Sequence, residues 1–158
     1  MNVVTSPTSS NMQSPLLAIL VGGLIAGTLD ATAAVLSFGW GMARGIASGL
    51  IGASARTGGT AAWCLGIGLH FFIAISAAAI YYFASRRLTF LREHFLICGL
   101  FYGIAIYLVM NLIVVPSSAV PFAVGPFSVK ALRQGLLVHM FLIGLPIAAS
   151  VRFFSKPA

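Results

Sequence analysis

Acidic residues are almost missing from this sequence, in which Asp30 and Glu93 are the only two among 158 residues. Charged residues of both signs make up 7% of the chain, whereas 59% of it is hydrophobic. A soluble domain needs far more charge than this on its surface. The composition therefore excludes an ordinary soluble protein and favours one compact domain inside a membrane.

Basic residues, in contrast, give the chain a formal net charge of +7. They occur singly or in pairs between apolar runs rather than in one patch. A nucleic-acid-binding surface gathers its Lys and Arg residues on one face, so we expect no nucleic acid as a partner. Charge between apolar runs instead sets the orientation of a protein in a lipid bilayer.

Cysteine is also scarce, since the chain contains only Cys64 and Cys98. They fall near opposite ends of two predicted helices, so a rise of 1.5 Å per residue separates them by about 20 Å in depth. A disulfide requires Cα atoms within about 7 Å, which excludes this pair. No metal-binding motif includes either residue, and no nucleophile, base and orienting group occur together outside the apolar runs. The sequence therefore predicts no metal site and does not favour an enzyme.

The first 14 residues lack Lys and Arg. A cleavable export signal begins with a positively charged segment, so the sequence does not predict such a signal. The polar composition of residues 1–14 is typical of a short flexible tail.

Long apolar runs are what the sequence has in abundance. Four of them occupy about residues 15–38, 60–85, 94–115 and 130–154. A helix needs about 20 apolar residues to cross a bilayer, and lipid offers no partner to unpaired backbone groups. We therefore predict an all-α integral membrane protein, in which residues 15–158 form one domain of four transmembrane helices in an up-down bundle.

The connection between the first and second runs, residues 39–59, has a helical pattern of its own. Met42, Ile46 and Leu50 recur at helical spacing. Gly45 and Gly49 belong to a seam of small residues that suits contact with another helix. These features predict a short helix that either lies at the membrane interface or enters the bundle as a re-entrant element.

The distribution of basic residues predicts the orientation. The cytoplasmic side is expected to hold a compact cluster between the second and third runs together with the C-terminal segment. The opposite side holds four dispersed basic residues. Because clusters of positive charge stay in the cytoplasm, we expect both termini to be cytoplasmic. The first group comprises Arg86, Arg87, Arg92, Arg152 and Lys156, and the second comprises Arg44, Arg56, Lys130 and Arg133.

Each predicted span contains one acidic, imidazole or amide side chain near its middle, namely Asp30, His70, Asn111 and His139. At 1.5 Å per residue, all four lie roughly 3 to 9 Å from the mid-plane, on the side away from the cytoplasm. An ionisable residue inside a span costs about 2.5 to 3.5 kcal/mol on insertion scales and marks a functional site by default. We therefore predict an intramembrane polar site at this depth.

Five further residues are expected to support this site. Three glycines lie about one turn before the acid and the two histidines, where small residues let helices approach closely. A tyrosine lies one turn before the asparagine, and a proline is expected to kink the fourth helix below the site. These residues are Gly27, Gly66, Gly135, Tyr107 and Pro146.

Asp30 is expected to pair with a histidine of this site, most directly with His70 on the adjacent helix. Its neighbours at helical spacing are small, so it faces protein rather than lipid, and no basic residue lies at its depth. The carboxylate would hold one ring nitrogen and leave the other for a ligand, water or His139.

The two histidines also allow a different interpretation, in which His70 and His139 ligate a b-type haem between the second and fourth helices. Gly66 and Gly135 would then leave room for the flat macrocycle. In a third interpretation the protein serves structure or assembly, and the polar residues only hold the helices together.

Several stretches resemble a widespread group of small four-span bacterial inner-membrane proteins. The resemblance implies the fold and the location, and it implies no activity and no site residue. It covers nearly the whole chain after the tail and is carried by AGTLDATAA, LGIGLHFFIA, AIYYFASRRL, YGIAIYLVMNLIVVPSSAVP and HMFLIGLPIA.

The sequence thus favours a protein that binds or conducts a proton, an ion or a small polar solute, with haem-based redox and purely structural roles as the alternatives. The expected partners are the lipid bilayer and such a solute, and the sequence allows an oligomer.

Overall fold

The computed structural model describes residues 14–121 and 128–155, and these residues form helices and turns without a strand. The predicted tail therefore lies, apart from Ser14, outside the described residues. In the described part of the chain, three short helices lie between the long ones, namely α2 (Met42–Ile51), a 3₁₀ helix (Gly52–Arg56) and α4 (Phe90–Glu93). The long helices are α1 (Pro15–Phe38), α3 (Gly59–Arg87), α5 (Phe95–Val109) with a π-helical turn at Met110–Val114, and a last one made of α6 (Val129–Val138), a π-helical turn at His139–Gly144 and α7 (Leu145–Phe154).

The prediction of an all-helical chain with four membrane-length helices is confirmed. The helices that are long and apolar enough to cross a bilayer are Pro15–Phe38, Gly59–Arg87, Phe95–Val114 and Val129–Phe154. Their bounds agree with the apolar runs to within two residues. The short helix predicted between the first two is also present, as α2.

Local sequence signals explain where these helices begin and end. Pro15 opens α1, where its missing N–H costs no hydrogen bond. Gly39 ends α1 with a φ of 71°, a conformation that residues with a side chain rarely adopt. The hydroxyl of Ser128 accepts a hydrogen bond of 3.1 Å from the Ala131 N–H and so caps α6.

Small residues pack the helices closely at the end of the bundle that holds α4. A Cβ on Gly23 would come within 2.7 Å of the Ile75 Cα, and one on Gly144 would overlap the Gly99 carbonyl oxygen. The hydroxyl of Ser150 donates a hydrogen bond of 2.8 Å to the Ala18 carbonyl. We call this region the packed half, and its core consists of Ala18, Ala26, Ala77, Ala78, Tyr81, Tyr82, Ile143, Ile147, Ala148 and Val151.

At the other end of the bundle α2 and α3 stay closely packed, but three other segments are much less buried. Among the described residues, none of α1 after Gly27, none of Met110–Val114 and none of α6 is buried. We call these three segments the open half. The helices that touch through small residues in the packed half therefore separate here.

At this end α2 packs along the first turns of α3. Ala43 lies against Gly66, where a Cβ would overlap the Ala43 carbonyl oxygen. One turn further on, Ala47 and Ala62 share a small buried cluster. The contacts thus step along both helices, so α2 runs beside the first turns of α3.

The two π-helical turns are not predicted from the sequence. A π-helical turn closes hydrogen bonds five residues apart, as between the Val115 N–H and the Met110 carbonyl at 2.8 Å. The second turn ends directly before α7, in which Pro146 cannot donate to the Leu142 carbonyl. The proline predicted to disturb the fourth helix therefore follows a π-helical turn. Such turns occur frequently at functional sites.

Candidate functional site

The open half encloses a cleft of about 650 Å³ between α1, the end of the third long helix and α6. Ala33 and Ala34 on α1 and Gly135 on α6 are small residues, and they line two walls of this space. We call it the polar cleft, and its polar lining residues are Asp30, Ser37, Tyr107, Asn111, Gln134 and His139.

His139 reaches the polar cleft from the start of the second π-helical turn. Its Nδ1–H donates a hydrogen bond of 2.9 Å to the Gly135 carbonyl one turn earlier. The Tyr107 ring packs edge-on against the imidazole at 5.2 Å between centroids, in the space that a Cβ on Gly135 would fill. In the neutral imidazole, a proton on Nδ1 leaves Nε2 as a hydrogen-bond acceptor.

Asn111 uses its side chain in the same way. Its Nδ2–H donates a hydrogen bond of 2.9 Å to the Tyr107 carbonyl, also one turn earlier on its own helix. The amide oxygen Oδ1 is thereby left as an acceptor. Asn111 and His139 thus both commit a donor to their own helices.

Two exposed residues close the rim of the polar cleft. The Gln134 Nε2–H donates a hydrogen bond of 3.0 Å to the Ser37 hydroxyl, which joins α6 to α1 across the opening. Sequence reasoning assigned neither residue to the site. The sequence does indicate Ser37, since it lies seven residues after Asp30 and therefore on the same face of α1. No sequence pattern points to Gln134.

Asp30 is half-buried in the wall of the polar cleft. It forms no hydrogen bond or ion pair with any residue in 14–121 or 128–155. It lies close enough to His139 for the two groups to interact electrostatically. The lining contains no Lys or Arg, and the acceptors that Asn111 and His139 leave lie in the same cleft as the Asp30 carboxylate.

The structure shows no hydrogen bond between Asp30 and His70, the two residues that the sequence predicts to pair. His70 is buried between α1 and α3, and its Nε2–H donates a hydrogen bond of 2.8 Å to the Gly27 carbonyl. The two helices approach each other at Gly23 and Gly27, so the imidazole meets backbone there before it can reach the carboxylate. A similar depth of two residues along their helices therefore did not predict that their side chains form a hydrogen bond.

The predicted site is thus divided between two places. Asp30, Asn111 and His139 line the polar cleft together with Tyr107 and Gly135. The contact between α1 and α3 holds His70 and Gly27, while Gly66 lies under α2, and none of these three lines the polar cleft.

The residues proposed for a b-type haem do not fit that group. The space beside Gly66 is filled by the Ala43 backbone, and that beside Gly135 by the Tyr107 ring. His70 also directs its Nε2–H at a carbonyl, and it does not share a cleft with His139. Within the described ranges, no group of three or more His, Cys, Asp or Glu side chains could hold a metal ion.

Comparison with known proteins gives no further guide, since no protein-family model, curated protein or solved structure matches the chain.

Proposed function

We propose that this chain is a multi-pass protein of a bacterial inner membrane, with its four long helices crossing up and down and both termini in the cytoplasm. Contacts that step in opposite directions support the up-down order, since Gly23 meets Ile75 whereas Gly27 meets Phe71. The arginines around α4 support the cytoplasmic placement of that end. Reporter fusions at Ser117 and Ala158 test it, and an exported reporter at Ala158 would refute it.

We further infer that the polar cleft binds a small solute that donates hydrogen bonds and carries positive charge, best a primary ammonium group. The observation that carries this proposal is the orientation of Asn111 and His139. Each donates to its own helix, so that Oδ1 and Nε2 remain as acceptors beside the Asp30 carboxylate. An ammonium group has three donors and no acceptor, which matches this set.

An anionic ligand is disfavoured by the same lining. The polar cleft contains a carboxylate and no Lys or Arg side chain, so an anion would meet repulsion without a permanently charged partner. A purely structural role is also disfavoured, because polar residues that join helices are hydrogen-bonded to one another. Asp30 has no such bond among the described residues.

Binding is better supported than conduction. Below the polar cleft, towards α4, the packed half contains the fully buried side chains of Tyr81, Ile147 and Val151. A conduction path for an ion or a proton needs polar groups or water along its length. The polar groups of the cleft do not continue through this apolar core.

Binding of methylammonium to the protein in lipid nanodiscs tests the proposal by calorimetry. A hydrogen bond to a charged group contributes about 1.5 to 3 kcal/mol, so Asp30→Asn should weaken binding at least about tenfold. Tetramethylammonium carries the charge but has no hydrogen-bond donor. It should therefore bind the unaltered protein at least about tenfold more weakly than methylammonium does.

The matched control is Thr32→Val on the same helix. Thr32 is exposed, donates a hydrogen bond of 2.8 Å to the Thr28 carbonyl and does not line the polar cleft. Its substitution should leave methylammonium binding unchanged. Equal affinities of the Asp30→Asn variant and the unaltered protein would refute the proposal.

A further inference from the structure

A second cavity, of about 800 Å³, lies beside the polar cleft. It runs between α1, α2, α3 and the π-helical turn of the third long helix, and its lining is almost entirely apolar. We call it the apolar groove, and its largest side chains include Ile46, Leu50, Leu69, Ile73, Met110 and Val114.

The polar cleft and the apolar groove share two walls. Ala34 and Phe38, one turn apart on α1, line both cavities. On the facing wall the π-helical turn directs Asn111 to the polar cleft, whereas Met110 lines the apolar groove. The two cavities therefore adjoin at Ala34 and Phe38, the one lined by Asp30 and other polar groups and the other by apolar side chains.

We propose that the ligand is a single-chain amphiphile with a primary ammonium head group. The head group lies in the polar cleft, and the apolar chain lies in the apolar groove. This inference rests on the proposed binding of an ammonium group by Asp30. The apolar groove has no charged lining residue, and its volume lies within the roughly 300 to 1,000 Å³ of ordinary ligand pockets.

The position of the chain is a sharper measurement than its affinity. Lipid tails are as apolar as the groove, so transferring the chain from the bilayer changes the affinity little. A dodecylammonium probe with a diazirine at the end of its chain would instead report where that chain lies. In nanodiscs, photolysis should label groove residues such as Ile46, Leu69 and Ile73, as read by peptide mass spectrometry.

Two substitutions separate the head group from the chain. Asp30→Asn should reduce groove labelling at least fivefold, and excess methylammonium should do the same in the unaltered protein. Gly45→Phe should fill the apolar groove, because Gly45 lines it and no heavy atom of the described residues lies within 4 Å of a Cβ there. Groove labelling should then be lost while methylammonium binding stays unchanged.

The matched control is Gly68→Phe, at another open glycine outside both cavities, which should leave labelling unchanged. Failure of methylammonium to bind would refute the proposed function itself. If methylammonium binds through Asp30 but Gly45→Phe leaves labelling unaltered, the amphiphile alone is refuted. Equal groove labelling by a matched dodecanol probe would also overturn it, since the head group would then have no part in the binding.

Discussion

In the packed half, glycine, alanine and serine bring helix backbones into contact, and Tyr81, Ile147 and Val151 fill the space between them. In the open half, the same long helices continue but no residue of α6 or of Met110–Val114 is buried among those described. Asp30 and His139 lie where the close contacts stop. The comparison teaches that the polar site occupies the space left when the helices separate.

The close glycine contacts of the packed half should tolerate added volume far less than a glycine that faces open space. Gly144→Leu places a side chain against the Gly99 carbonyl and the Gly103 backbone, which cannot yield as a flexible side chain can. We expect a loss of stability at or above the upper end of the about 1 to 3 kcal/mol typical of overpacking. The melting temperature in detergent measures it.

The control for this prediction is Gly45→Leu, which adds the same side chain where a Cβ meets nothing within 4 Å among the described residues. Its melting temperature should stay within a few degrees of that of the unaltered protein. Similar melting temperatures for the two variants would contradict the close packing at Gly144.

The two histidines should respond oppositely to the same substitution. His70→Leu removes the hydrogen bond to the Gly27 carbonyl and should lower stability by about 0.6 to 1.7 kcal/mol, the range for such bonds between membrane helices. It should leave methylammonium binding unchanged. His139→Leu removes an acceptor from the polar cleft and should weaken binding several-fold, because one hydrogen bond contributes about 1 kcal/mol.

Melting curves and calorimetry on both variants decide this prediction. A pattern in which His70→Leu abolishes binding and His139→Leu does not would restore His70 to the site. The assignment of His139 to the polar cleft would then be wrong.

The lengths of the apolar runs predicted the fold, because a helix that crosses a bilayer is specified mainly by about 20 consecutive apolar residues. The bounds of all four long helices followed from that requirement, whereas the helical spacing of Met42, Ile46 and Leu50 predicted α2. The π-helical turns did not, since a single wider turn leaves no periodic mark in the sequence. Each π-helical turn changes which side chains share a face of its helix, and Asn111 and His139 lie in these turns.

The site was predicted only in part for a related reason. Depth along a helix follows from residue count, and it placed Asp30, Asn111 and His139 in one layer. Rotation and the distance between helices depend on tertiary contacts, and these turned His70 to a backbone carbonyl. Gln134 was missed because its bond to Ser37 joins residues 97 positions apart.

Water access along α1 tests the central claim most directly. Ala26 and Ala33 lie seven residues apart on the same face, but Ala26 is fully buried in the packed half whereas Ala33 lines the polar cleft. Each is changed to Cys in a protein that carries Cys64→Ala and Cys98→Ala, and reaction with a small hydrophilic thiosulfonate is followed in nanodiscs. Ala33→Cys should react at least tenfold faster than Ala26→Cys, and equal rates, or a faster reaction at position 26, would contradict an open polar cleft above a packed core.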